Sequence, residues 1–361
     1  MKQGWEIKKL GEVCEILDHL RVPITKKDRQ SGIYPYYGAS GVQDYVNSYL
    51  FDGRYLLVGE DGAKWGTNDK SAYIIEGKSW VNNHAHILKI DKEVNDKLIE
   101  YYLVFKDLNE FITGAIVPKL TQQALRNIPI PVPPISEQEH IVEELDLLSS
   151  VIEKQKQQLK EYDTLAQSIF YTMFGDPITN EKGWEVRKLH EISTLINGRA
   201  YQQQELLESG KYKVLRVGNF FTNSNYYYSD LELEDDKYCD NGDLLFAWSA
   251  SFGAFIWNGG KVIYHYHIWK VLFDKNALNI EYYRVLLNTM TSYFMNDVHG
   301  IGMVHLTKAG MEQYDLPLPP LPLQQSFAAK VEAIEQQKAL IKQSLAEMET
   351  LFNSRMDYYF N

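Results

Sequence analysis

Residues 127–139 read Asn127-Ile128-Pro129-Ile130-Pro131-Val132-Pro133-Pro134-Ile135-Ser136-Glu137-Gln138-Glu139. Residues 313–325 read Gln313-Tyr314-Asp315-Leu316-Pro317-Leu318-Pro319-Pro320-Leu321-Pro322-Leu323-Gln324-Gln325. Each is an extended strap, because proline fixes its own φ and turns the residue before it away from helix. Each strap leads into a helical pattern of about 38 residues, or roughly 57 Å at 1.5 Å per residue. Ser136 and Glu139 have capping-box spacing, so Ser136 is the expected N-cap of the first helix. At its far end, in Phe174-Gly175-Asp176-Pro177, Gly175 suits a left-handed cap and Pro177 prevents continuation.

Inside both patterns apolar residues recur in alternating steps of four and three. The first helix shows Ile141, Leu145, Leu148, Ile152, Leu159 and Ile169, with Gln155, Tyr162, Ala166 and Met173 in the remaining positions. The second shows Phe327, Val331, Ile334, Ile341, Leu345 and Phe352, with Lys338, Met348, Arg355 and Tyr359 completing the series. A seam of period 3.5 sustained this long is a coiled-coil signature, whereas a helix lying on its own domain needs a wider stripe. The two helices are therefore expected to pack on each other. An antiparallel register centred near residues 157 and 343 would set Gln155 near Leu345, Tyr162 near Lys338 and Met173 near Phe327.

The duplication extends outward from these helices. Gly4-Trp5-Glu6-Ile7-Lys8-Lys9-Leu10 returns as Gly183-Trp184-Glu185-Val186-Arg187-Lys188-Leu189. His84-Ala85-His86-Ile87 returns as His265-Tyr266-His267-Ile268, and Leu120-Thr121 as Leu306-Thr307. The fold expected is α+β: two tandem strand-rich domains, each followed by a long helix, the helices forming an antiparallel coiled coil. The partition is residues 1–126 (first domain), 127–177 (strap and first helix), 178–312 (second domain) and 313–361 (strap and second helix). Strands are expected at 55–58, 72–75 and 85–90, then at 213–217, 244–248 and 261–264, with helices over 96–111 and 280–295. The Tyr- and Gly-rich stretches Ile33–Gly41 and Asn223–Tyr228 read as loops.

Hydrophobic residues make up 45% of 361, ample for two or three cores. No apolar run reaches the 18 residues of a membrane span. The first residues, Met1-Lys2-Gln3-Gly4-Trp5-Glu6, lack a signal-peptide core. Cys14 and Cys239 have no metal-like spacing and read as reduced, structural thiols of a cytoplasmic protein. Net charge is −11, which argues against a free-standing nucleic-acid binder. Residues 1–136 nevertheless balance at 17 basic and 17 acidic groups, so part of the acidity sits on the helices.

The strap Pro-x-Pro-Pro-x-x-x-Gln, the long heptad helix, the Phe174-Gly175-Asp176-Pro177 ending and the Gly-Trp-Glu restart resemble the DNA specificity subunits of Type I restriction–modification systems, over essentially the whole chain. The resemblance implies two target-recognition domains, each reading half of a bipartite, asymmetric site in double-stranded DNA. It also implies two methyltransferase (modification) subunits that methylate adenine and a restriction/translocase subunit as partners, with no membrane. S-adenosylmethionine, ATP and Mg belong to those partners, and no cofactor to this chain. The sequence agrees by omission: it has no Asn-Pro-Pro-aromatic or Asp-Pro-Pro-Tyr motif, no Gly-rich cofactor loop and no P-loop. The specificity chain of a combined nuclease–methyltransferase (Type IIB-like) system would look the same, and a duplicated protein–protein adaptor without a DNA role is the remaining alternative.

Loop position and chemistry nominate the DNA contacts. In the first domain Arg21, Lys26, Lys27 and Arg29 form a basic loop suited to phosphates, and Tyr37, Ser40, Lys64 and Trp65 offer donors and stacking faces. In the second they are Arg199, Tyr201, Arg216, Asn219, Trp248, Ser249, Ser251 and His299. Arg216 and Asn219 rank highest because arginine pairs with guanine and asparagine with adenine in the major groove. The histidine pairs, if on strands, would point both rings to one face; without a third ligand of matching spacing they read as structural rather than metal-binding.

Overall fold

The structure is a computed structural model describing residues 4–114, 116–249, 251–296 and 306–361; His299 lies outside them. The chain divides into two compact units, residues 1–156 with 342–361, and residues 157–341. Each unit thus takes one domain and a part of both long helices, a division the linear partition does not contain.

In the first unit, β1 (Glu6–Lys9) pairs antiparallel with the strap residues that later form β8 (Pro129–Val132), in the register Glu6↔Val132 and Lys9↔Pro129. A two-stranded ribbon accepts Pro129 and Pro131 because a strand with one open edge can do without their N–H groups. Between them run β2 (Cys14–Ile16), β3 (Ser31–Gly38), β4 (Gly41–Val46), β5 (Phe51–Gly59), β6 (Ala72–Val81) and β7 (Ala85–Ile90). They form a six-stranded sheet in the order β2-β7-β5-β6-β3-β4, antiparallel except where β3 meets β6. The stretch read as a loop at 33–41 is thus mostly strand. Tyr36 is buried while Ile33 is exposed, and the tyrosine-rich alternation outweighs the Gly and Pro signals there. Helix α1 (Asp96–Phe105) covers this domain and ends six residues before the expected boundary; a 3₁₀ turn takes over at Asn109–Phe111.

In the second unit the same plan recurs with Glu185–Lys188 paired to Asp315–Leu318. Its domain has two four-stranded sheets, one ordered Ser193–Asn197, Ile268–Phe273, Leu244–Ala247 and Gly253–Ile256. The other is ordered Tyr227–Ser229, Tyr212–Leu215, Val262–Tyr264 and Tyr238–Cys239.

The long helices are α2 (Ile135–Phe174) and, after α3 (Ile280–Thr289), α4 (Leu321–Phe360), 40 residues each for the long pair. Helix α2 begins one residue before Ser136, which therefore sits in the first turn and not at the cap. Instead the Pro134 carbonyl accepts the N–H groups of Glu137 (2.8 Å) and Gln138 (3.0 Å). The other end follows expectation: Gly175 has φ +76°, its N–H donates to Tyr171 O at 2.8 Å, and the Trp184 indole caps Phe174 O at 2.8 Å.

The helices pair antiparallel. In the first unit Ile141 and Leu145, both fully buried, pack with Met356, Tyr359 and Trp5. Glu144 accepts from Arg355 Nη2 at 2.9 Å and from the Tyr359 hydroxyl, and Gln155 Nε2 donates to Ser344 Oγ at 2.8 Å. The carboxyl of Glu144 is held below its ordinary value by Arg355 first of all. In the second unit the fully buried Phe327 lies 5.7 Å from Phe170 and 5.3 Å from Phe174, ring centre to ring centre. Lys338, set near Tyr162 by the expected register, meets Asp163 at 2.8 Å and Glu335 at 2.8 Å. Ile152, Val331 and Ile334 are buried, while Leu148, Leu159, Ile169, Ile341, Leu345 and Phe352 are half-buried, as a narrow two-helix seam requires.

Candidate nucleic-acid interface

At one rim of the six-stranded sheet three turns converge: the β3–β4 turn, the Glu60–Lys64 stretch after β5, and the β6–β7 turn. Ala39, Ser40, Gly41, Gln43, Asp61 and His84 line one concavity there. The rim is braced from behind: Asn82 Nδ2 donates to Gln43 Oε1 at 3.2 Å, Glu60 N–H donates to His84 O at 2.8 Å, and the His84 ring meets the Asp61 carboxylate. Ser40 and Lys64 are exposed at this rim and Tyr37 is half-buried. Gln43, Asp61 and His84 share it although sequence position alone nominated none of them; their signal is only that they flank turns.

The basic loop divides. Lys26 and Lys27 are exposed on a 3₁₀ turn. Arg29 lies 4.2 Å over the Tyr36 ring and 3.2 Å from Asp44. Arg21 is a correction. Its side chain is only 13% exposed and is spent internally, on Glu60, on Asp18 at 3.4 Å and on Ala85 O at 2.8 Å. Trp65 is a second correction: it is buried in the domain core and its indole donates to Gly59 O at 3.1 Å, so it has no face for a base.

Around Arg21 the polar groups form one cluster. His86, fully buried, contacts Asp18 Oδ2 through Nδ1 at 2.6 Å and Leu120 O through Nε2 at 2.8 Å, and Lys119 meets Glu60 at 2.6 Å. Burial pushes the Asp18 carboxyl up, but His86, Arg21 and the Ile87 N–H outweigh it and hold the group below its ordinary value. Asp18, Glu60 and His86 are metal-ligand types within reach of one another, yet Arg21 and Lys119 already supply cationic charge there. His86 thus takes the structural role expected of it. The two histidines of each pair do not share a strand: His84 precedes β7, and His265–His267 form the turn between two strands.

In the second domain Arg199 is held bidentate by Glu205, at 2.8 and 2.7 Å, which holds that carboxyl down at about 2. The Arg199 guanidinium lies 5.2 Å over the half-buried Tyr201, whose ring stacks on His265. Burial, then His267 and Arg216, push the His265 imidazole down to about 4, so it is neutral near pH 7. Arg216 is exposed, 5.1 Å over the Tyr227 ring. Asn219, ranked beside it, is buried and used as a turn brace: its Oδ1 accepts Arg216 N–H and its Nδ2 donates to Ser224 O, both at 2.8 Å. Ser249 is also buried, whereas Ser251 is exposed. Trp248, half-buried, stacks on Trp269 and donates to Tyr266 O at 2.8 Å. The exposed set in this domain is therefore Arg216, Ser251 and the edge of Trp248, joined by Tyr227 and Tyr266, which the tyrosine-rich composition alone could have flagged.

Cys14 and Cys239 are buried free thiols; burial first of all pushes Cys14 up to about 12, which keeps it protonated. No described helix is long and apolar enough to cross a membrane.

Two copies of a strand-rich domain, each with a polar and aromatic loop rim and each strapped to one arm of a helix pair, define a duplicated recognition scaffold. The profile of the Type I restriction modification DNA specificity domain matches residues 2–161 and again 181–350, and the chain belongs to that family, as a non-catalytic specificity subunit. It is 26% identical over 368 residues to a putative type I restriction enzyme specificity subunit of Haemophilus influenzae, covering 98% of this chain and 94% of that one. It is 20% identical to the type I restriction enzyme MjaVIII specificity subunit of Methanocaldococcus jannaschii, over 92% and 86% of the two chains. The fold matches the crystal structure of a type I restriction-modification S subunit from M. genitalium with a TM-score of 0.61 at 12% identity, over 99% of this chain and 97% of that one. It also matches a chain from a study of complex assembly and conformational transition of the type I R-M system, with a TM-score of 0.58 at 18% identity, over 100% and 98%.

Proposed function

We propose that this specificity subunit reads a bipartite, asymmetric site in double-stranded DNA, one half-site per domain, and brings two adenine methyltransferase subunits and a restriction subunit to it. The observation that carries this reading is the duplication itself. One framework of ribbon, strap and long helix is built twice, while apart from the His84/His265 pair the loop rims it presents carry different residues: Ser40, Gln43 and Lys64 in one copy, Arg216, Tyr227, Trp248 and Ser251 in the other. Equal frameworks with unequal rims suit two half-sites of unequal sequence. In this reading the exposed Lys26 and Lys27 meet phosphates and the exposed Arg216 meets a base.

With a net charge of −11, the chain alone supplies little phosphate neutralisation. Binding by the isolated chain is therefore weak and salt-sensitive, and becomes tight and sequence-specific when the methyltransferase subunits are added. Electrophoretic mobility shifts with and without those subunits test this; nanomolar specific binding by the isolated chain at physiological salt would overturn it.

A further inference from the structure

Among the described residues, two glutamines are almost fully buried, and they are the same residue of the repeat: Gln138 is 1% exposed and Gln324 is 0% exposed. Each lies in the first turn of a long helix. Gln138 Oε1 accepts the N–H of Asn95 at 2.7 Å, while its Nε2 donates to Pro133 O at 2.8 Å and Glu93 O at 3.4 Å. Gln324 repeats the set: Oε1 accepts Asn279 N–H at 2.8 Å, and Nε2 donates to Pro319 O at 2.8 Å and Ala277 O at 2.9 Å.

The partners come from two separate pieces of each unit, and the glutamine itself belongs to a third, the long helix. Pro133 and Pro319 end the straps. Asn95 and Asn279 are the N-caps of the domain helices α1 and α3, their side chains accepting from Lys97 N–H and from Glu281 and Tyr282 N–H. One amide therefore ties strap, long helix and domain helix together, and it satisfies backbone groups that burial would otherwise leave without partners. Only a side chain with an acceptor on one side and donors on the other fits. Glutamate would turn an oxygen toward two carbonyls, and leucine would leave all of them unmet.

We propose that Gln138 and Gln324 are positioning residues that lock the angle between each recognition domain and its helix, and that this angle sets which half-site spacing the subunit accepts. Packing elsewhere in each unit holds a domain against its helix, but apolar contacts tolerate sliding, whereas three directed hydrogen bonds at one buried point do not. This inference rests on the bipartite reading given above. It assigns the clamp to spacing and not to base identity, because neither glutamine reaches a loop rim.

The test uses the full chain co-expressed with its methyltransferase subunits, with modified adenines mapped genome-wide. The variants are Gln138→Leu, Gln324→Leu, Gln138→Glu and Gln324→Glu, with Ser136→Ala, exposed in the same turn, as control. Each glutamine variant should leave both half-site sequences unchanged while sites with a spacer one base pair too long or too short become modified. The preference for the native spacer should fall about tenfold, the scale of losing one or two buried hydrogen bonds. The glutamate variants keep volume and acceptor, and carry the test where a leucine variant does not accumulate. Folded variants that keep the native spacer at full preference, or that merely lose modification in proportion to lost thermal stability, overturn the clamp proposal and leave the bipartite reading standing. A wild-type motif that is not bipartite overturns that reading itself.

Discussion

Truncating Phe327 to alanine should cost the second unit roughly 3–5 kcal/mol, the usual range for emptying a buried phenylalanine site. Phe327 is fully buried and stands at the meeting of α4 with the end of α2, 5.7 Å from Phe170 and 5.3 Å from Phe174. Both neighbours also contact Tyr282 of α3, at 5.9 and 4.7 Å. The site is walled by rigid rings that cannot collapse into the space, which places the cost toward the upper end; two edge-on aromatic contacts go with it, at about 0.5–1.5 kcal/mol each where they exceed simple burial. For a unit of this size the midpoint should drop by roughly 6–20 °C. Differential scanning calorimetry, with Leu351→Ala on the exposed face of α4 as control, measures it. A shift below about 2 °C for Phe327→Ala, or an equal shift for the control, would refute the packing of these helices described here.

Residues 1–175 expressed alone should dimerise through α2, with the copy's helix taking the place of α4. The dimer is weakened because Glu144 loses Arg355 and Tyr359 and gains no cation, a cost the apolar pattern of the seam does not reveal. Sedimentation showing only monomer at tens of micromolar would defeat this, and Leu159→Asp should abolish the dimer. Arg216→Ala should weaken or relax recognition of one half-site only, by about 1–3 kcal/mol for a lost bidentate base contact, read from a binding series on mutated half-sites. Asp18 has a carboxyl held low in the folded state, so its contribution is present above its unfolded value and lost as pH falls through the folded one. Unit one should therefore lose stability on acidification below about pH 4, and Asp18→Asn should flatten that loss while lowering stability at pH 7.

The elements that sequence made legible are those with a local cause. Paired prolines announce the straps, a 3.5-residue period announces the seam, and Gly175 followed by Pro177 announces the end of α2. The register centred on residues 157 and 343 was an assumption of antiparallel symmetry, and Gln155 bonding Ser344 lies one residue from the pairing it implied. Side chains whose role depends on distant partners were not legible. Arg21 looks like a phosphate contact until Glu60 and Asp18 close on it, and Trp65 and Asn219 look available until the fold turns them inward. Gln138 and Gln324 look like solvent-facing helix residues, and only the approach of Asn95 and Asn279 from more than 40 positions away makes them buried clamps.

The most direct test of the account exchanges residues 176–312 for the corresponding stretch of a relative with a different target and maps modified adenines in cells that also make the methyltransferase subunits. Two independent readers on one framework predict that one half of the modified site changes while the other half stays as it was. A chimera whose motif changes in both halves, or in neither while modification persists, would contradict the account.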